Sequence, residues 1–177
     1  MTTTSDPKLE SLRFPVGRFK IPETISAADR ARFLGEVAAA PAALRAAVKG
    51  LNEAKLDTPY RPGGWTIRQV VHHVPDSHLN AYIRMKLALT EDEPTITPYM
   101  EDRWAELPDS LAVPVETSLR LLESVQERWL VIMRSLTEAQ WHRVYMHPEM
   151  GRYPLDRQLA LYAWHGKHHV AHIERAT

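Results

Sequence analysis

Apolar residues recur along this 177-residue chain with a helical rather than a two-residue period. Ser26 reads as an N-cap, with Asp29 in the first turn to suit the helix dipole. From there an alanine-rich amphipathic stretch runs to about Lys49, and Pro41 inside it predicts a kink or two helices end to end. The segment from Leu56 to Gly64 is turn-rich. Thr66 and Gln69 then form a T-x-x-Q capping pair, with Trp65 and Val70 in hydrophobic-staple positions. They predict a helix from Ile67 to about Leu89, in which Pro75 frees the Val71 carbonyl from its usual bond.

Residues 90–113 are acidic, proline-containing and aperiodic, and predict a long loop with a short turn near Trp104. Loops of that length inside compact domains are often functional. Pro114 opens a third long helix to about Ser135, with Leu119, Leu122, Val125, Trp129 and Ile132 on its apolar face. Thr137 and Gln140 repeat the capping pair for a short helix ending near Arg143. A loop from His147 to Pro154 precedes a last helix, Leu155 to about Arg175. Period-2 runs are lacking, so no strand is expected. Four long helices make an all-α four-helix bundle the natural packing. Residues 1–25, punctuated by Pro7, Pro15 and Pro22, are expected to be an irregular lead, and residues 26–177 a single domain.

Composition narrows the function. The chain has 22 basic and 22 acidic residues, hence zero formal charge. This argues against nucleic-acid binding, which normally shows a basic stripe, and against docking on anionic membranes. No window approaches the ~20 apolar residues of a membrane span. Met1–Phe14 carries charges and lacks the apolar run of a signal peptide, so a cytoplasmic location is expected. The absence of cysteine removes disulfides, thiolate ligands and a cysteine nucleophile. Any metal must use imidazole, carboxylate, carbonyl or water.

Seven of the nine histidines fall in two segments, His72-His73-Val-Pro-Asp-Ser-His78 and His165-Gly-Lys-His168-His169-Val-Ala-His172. On a helix, His165 and His169 share a face one turn apart, and so do His168 and His172. A third ligand must come from another element, and His72 or His73 is the best source; periodicity leaves both choices open. A lone H-x-x-x-H is a weak signal, but the second cluster strengthens it. Trp164, Val170, Ala171 and Ile173 interleave with the last four histidines as in a packed helix. A three-histidine site leaves a coordination position open, which suits catalysis.

Other candidates surround this constellation. Asp76, one turn beyond His73, is placed either to orient an imidazole or to sit as a solvated helix carboxylate. Arg61, Arg68 and Arg84 are candidates to clamp an anionic substrate or a carboxylate-bearing thiol. Tyr60, Trp65, Tyr99 and Trp104 are candidate pocket walls. His142 and His147 read as ordinary surface residues, and Glu116, Glu123 and Glu127 as a solvated helix face.

The run from Leu56 through His72-His73-Val-Pro-Asp-Ser-His78 closely resembles the YfiT branch of the DinB-like superfamily. So do Ala81–Thr90, Tyr162–Ile173 and the lead Phe14-Pro-Val-Gly-Arg-Phe19. The resemblance implies a four-helix bundle of the DinB type, commonly a homodimer, with one divalent metal per chain, zinc or nickel. It implies His73, His165 and His169 as the ligands. It also implies a small-molecule substrate and a metal-dependent hydrolase, or transfer of a low-molecular-weight thiol such as bacillithiol or mycothiol, and no DNA binding. Pro75 departs from the plain helix former expected there and is expected to disturb the ligand. A glutamate beside the triad, as in H-E-x-x-H enzymes, is absent from the sequence, which favours the thiol over water as nucleophile. The competing expectation is a non-catalytic metal-binding or sensing bundle, whose site would be closed by a fourth ligand such as His72 or His168.

Overall fold

The computed structural model describes residues 7–177. Its helices are α1 (Pro7–Arg13), α2 (Ala27–Ala47), α3 (Glu53–Leu56), α4 (Ile67–Thr90), α5 (Glu101–Trp104), α6 (Pro108–Ala112), α7 (Val115–Ser135), α8 (Glu138–Trp141) and α9 (Leu155–Ala176). Two strands, β1 (Val144–His147) and β2 (Gly151–Pro154), pair antiparallel between α8 and α9. None of the described helices is long and apolar enough to cross a membrane.

The long helices α2, α4, α7 and α9 form the bundle. Their principal packings are α2 on α9, α4 on α7, α2 on α7 and α4 on α9. Thus α2 and α4, consecutive long helices, are not principal neighbours, unlike in an up-down-up-down bundle. The helix starts follow the capping chemistry. Ser26, Thr66 and Thr137 each accept a hydrogen bond from the backbone three residues on, and Asp29, Gln69 and Gln140 return it.

Several sequence expectations are corrected. Both α2 and α4 run unbroken through Pro41 and Pro75, because packing on two neighbours each outweighs one lost backbone bond. The lead is not wholly irregular, since Pro7–Arg13 is helical; its first six residues lie outside the described ones. The expected loop 90–113 contains α5 and α6. The expected loop His147–Pro154 is half of a hairpin, so the fold is helical with one small sheet. Tyr145 pairs with Tyr153 in that hairpin, and their rings stack at 5.5 Å. Such cross-strand aromatic pairs stabilise short strands.

The core has two apolar ends. One gathers Phe33, Val37, Met85, Trp129 and Leu159; the other gathers Leu44, Ile67, Val71, Leu122 and Ile173. Between the two ends lie His78 on α4 and His165 and His169 on α9; His73 and Gln126 sit just inside the flanking apolar stretches of α4 and α7 and contact them, which makes a polar layer among these three helices. At the same level a methyl group on Gly166 would lie 3.0 Å from Cβ of Ala40, so α2 and α9 approach closely there.

Candidate metal centre

Helix α4 presents His73 in its second turn, and α9 presents His165 and His169 four residues apart. One ligand atom from each lies within 4.8 Å of the others. Nε2 of His73 and Nε2 of His165 are 3.3 Å apart. Two nitrogens bound at about 2.0–2.1 Å to a tetrahedral ion would stand at roughly that separation. Burial pushes the His73 imidazole down to about 4, and holds His165 and His169 well below the usual histidine range. Neighbouring histidines push all three in the same direction. The rings are therefore neutral, with lone pairs available to a cation. Nδ1 of His165 and of His169 are buried without a hydrogen-bond partner among the described residues, as are those of His168 and His172. The donor set fits a divalent ion.

Hydrogen bonds and ring stacking place the other histidines of the two segments. His72 turns towards α7: its Nε2 donates to the Val113 carbonyl at 3.1 Å, and Ser118 Oγ is 2.7 Å from its Nδ1. His172 donates from Nε2 to the Arg13 carbonyl at 3.1 Å and stacks on Tyr60. His168 stacks on Trp164 at 4.2 Å. These three rings surround the triad without joining it.

The triad lies along a cleft of 420 Å³ whose other walls include Phe14, Tyr60, Arg61, Trp65, Arg84, Tyr99, Glu101 and Asp102. Trp65 tilts against His73 at 4.8 Å as well as packing on the α4 end of the core. On the opposite side, buried Tyr162 donates its hydroxyl hydrogen to the Ser77 carbonyl at 3.0 Å, and Tyr99 bonds the Ser77 hydroxyl. His78, fully buried, contacts Gln126 and stands 5.5 Å from the His165 ring; burial pushes it down to about 3.

Three candidates are placed differently from expectation. Arg68 is buried and points away from the cleft, where Asp57 Oδ1 (2.7 Å) and Glu53 hold its guanidinium. It is a structural ion pair rather than a substrate clamp. Asp76 makes no hydrogen bond to an imidazole among the described residues; burial and nearby Asp109 push its carboxyl up to about 6. His147 is buried in β1 rather than surface-exposed. Glu116, Glu123 and Glu127 lie on the solvated face expected of them, and the first two also pair with Arg45 across the α2–α7 contact. The sequence also missed carboxylates near the triad, because Glu101 and Asp102 arrive from the loop after α4, far from the histidines in sequence. Arg13 and Phe14 likewise reach the cleft from the lead.

The sequence profile of the DinB superfamily matches residues 36–173. The chain is 50% identical over 165 residues to proteins of Bacillus mycoides and Bacillus cereus, each named "Putative metal-dependent hydrolase". The aligned region covers 93% of this chain and 95% of each relative. Among solved structures, YfiT from Bacillus subtilis is similar with a TM-score of 0.91 and 44% identity, over 94% of this chain and 95% of that one. It is described as "a probable metal-dependent hydrolase with an unusual four-helix bundle topology". A four-helix bundle protein, TT2238, shares the fold with a TM-score of 0.56 at 22% identity, over 80% of this chain and 94% of that one.

Proposed function

The chain belongs to the DinB superfamily, and from that premise we propose that it is a metal-dependent hydrolase of a small electrophilic substrate. In this reading His73, His165 and His169 hold one zinc or nickel ion per chain. The observation that carries it is the convergence of three neutral imidazoles, with donor atoms within 4.8 Å, along a cleft. When bound, the ion supplies a Lewis acid that polarises a coordinated oxygen or sulfur. Glu101 and Asp102 supply carboxylates able to accept a proton from an incoming nucleophile. Arg61 and Arg84, on the cleft walls, neutralise an anionic group. Trp65 packs against His73 and shields it from water, and Phe14 packs against neighbouring His168.

Transfer of a low-molecular-weight thiol is the second reading. Two features favour it: the chain has no thiol of its own, and cleft arginines suit a carboxylate-bearing cofactor. The loop carboxylates and the names of the relatives weigh towards hydrolysis. Homodimer assembly and a cytoplasmic location complete the proposal; sedimentation analysis tests the former. A panel of esters and amides, run beside a haloarene conjugation assay with bacillithiol, mycothiol and glutathione, separates the chemistries. The expected result is chelator-sensitive hydrolysis. Conjugation without hydrolysis selects the thiol reading, and inactivity in both with a saturated metal selects a binding or sensing bundle.

A further inference from the structure

A second cavity, of 580 Å³, adjoins the metal cleft and shares Arg84, Tyr99, Glu101 and Asp102 with it. Its volume lies in the range of about 300–1,000 Å³ usual for small-molecule sites. Its inner wall carries His147, 7% exposed. The backbone N–H of Glu149 donates to His147 Nδ1 at 3.2 Å, so that nitrogen holds a lone pair. Burial and the Arg84 charge hold this imidazole below its usual value, hence neutral, with its single proton on Nε2. That N–H has no partner among the described residues. The Arg84 guanidinium beside it is also uncommitted to a carboxylate; its one hydrogen bond among the described residues is a long one, 3.4 Å, to the Thr97 carbonyl. Two donors, one cationic, thus face one cavity with no carboxylate bonded to either among the described residues. Glu101, Asp102 and Glu149 lie exposed on the same lining. They disfavour a plain polyanion and favour a cation next to whatever anion the two donors hold.

We infer that this cavity is a subsite for a zwitterionic, amino-acid-like terminus, whose carboxylate is gripped by Arg84 and His147 and whose ammonium faces the surrounding carboxylates. The inference rests on the metal-cleft reading only for direction. The substrate extends from this subsite past Tyr99, so that its reacting end lies at His73, His165 and His169. Arg84 is thereby a specificity residue at the junction of the two cavities, and His147 its partner.

The test uses three probes of equal chain length, norleucine (both charges), hexanoate (carboxylate only) and hexylamine (ammonium only). Each is titrated into the zinc-loaded full chain while the histidine ring nitrogens are followed by NMR. Norleucine is expected to bind most tightly and to move the His147 Nε2–H signal. Arg84→Met is expected to weaken norleucine and hexanoate about tenfold or more while leaving the thermal midpoint nearly unchanged. Hexylamine binding as tightly as norleucine, or shifts confined to His165 and His169 with His147 unmoved, overturns the subsite. If the variant does not fold, the wild-type titration alone decides between these outcomes. Repeating it on metal-free protein separates the two readings. A chain that binds no metal yet keeps the His147 response loses the hydrolase reading and retains the subsite.

Discussion

At the scale of single residues, the candidate site turns on which nitrogens are free. His72 spends both ring nitrogens on Ser118 and the Val113 carbonyl and His172 its Nε2 on the Arg13 carbonyl, while His168 stacks on Trp164 and stands outside the cluster of donor atoms within 4.8 Å. Replacing His73, His165 or His169 by alanine is therefore expected to weaken zinc binding well beyond the roughly 10–100-fold that loss of an outer-shell partner costs. His168→Ala and exposed His142→Ala are expected to leave it within a fewfold. Competition titration against a chromophoric chelator measures this, and a large loss in His168→Ala with none in His165→Ala would reassign the ligand face. The same burial couples stability to pH. His73 and His78 are held at about 4 and about 3, against about 6.5 in the unfolded chain. Below pH ~6.5 the unfolded state binds the extra protons, so metal-free stability falls as pH drops towards 4 and 3. Each of the two adds a slope of up to about 1.4 kcal/mol per pH unit. Denaturant midpoints from pH 7 to 4 check this; a flat profile would mean that these rings are protonated in the folded state.

Among the elements, α9 carries most of the site and is the most sensitive to packing. Gly166 sits between His165 and His169 and against Ala40, where even a methyl group comes within 3.0 Å. Gly166→Val should cost about 1–3 kcal/mol through overpacking, lowering the thermal midpoint by several degrees. It should also weaken zinc binding, because pushing α9 off α2 moves His165 and His169 together. Unchanged metal affinity in a destabilised variant would show that the ligands ride on α4 contacts instead. The helices themselves were legible because their starts are written locally: Ser26–Asp29, Thr66–Gln69 and Thr137–Gln140 are self-contained capping pairs. The hairpin was not, since four-residue strands are too short to show a period, and Tyr145 finds Tyr153 only through the turn at Gly151 (φ 68°). Nor did Pro41 and Pro75 break their helices, because tertiary packing overrode a local preference.

For the whole molecule, the polar layer between two apolar ends makes metal binding and stability one quantity. An ion that binds only the folded chain adds about 2.7 kcal/mol at a hundredfold excess over Kd. For a domain of this size that raises the midpoint by about 5–10 °C. Differential scanning fluorimetry with zinc, nickel and chelator is expected to show this rise, and to lose it in His169→Ala. The bundle was readable from spacing and resemblance; the grouping of His73, His165 and His169 came from the resemblance, since periodicity left the helix face and the third histidine open. The cleft was legible only in part: Tyr60, Arg61, Trp65, Arg84 and Tyr99 were readable as candidates, but Phe14, Glu101 and Asp102 reach it from the lead and from a long segment whose course depends on tertiary contacts. The most direct measurement is a crystal structure of the zinc-loaded chain with anomalous scattering recorded at the zinc edge. One anomalous peak is expected at about 2.0–2.1 Å from a nitrogen of each of His73, His165 and His169, with its fourth position open to the cleft. A peak on His168 and His172, a fourth protein ligand closing the site, or no peak at all would contradict it.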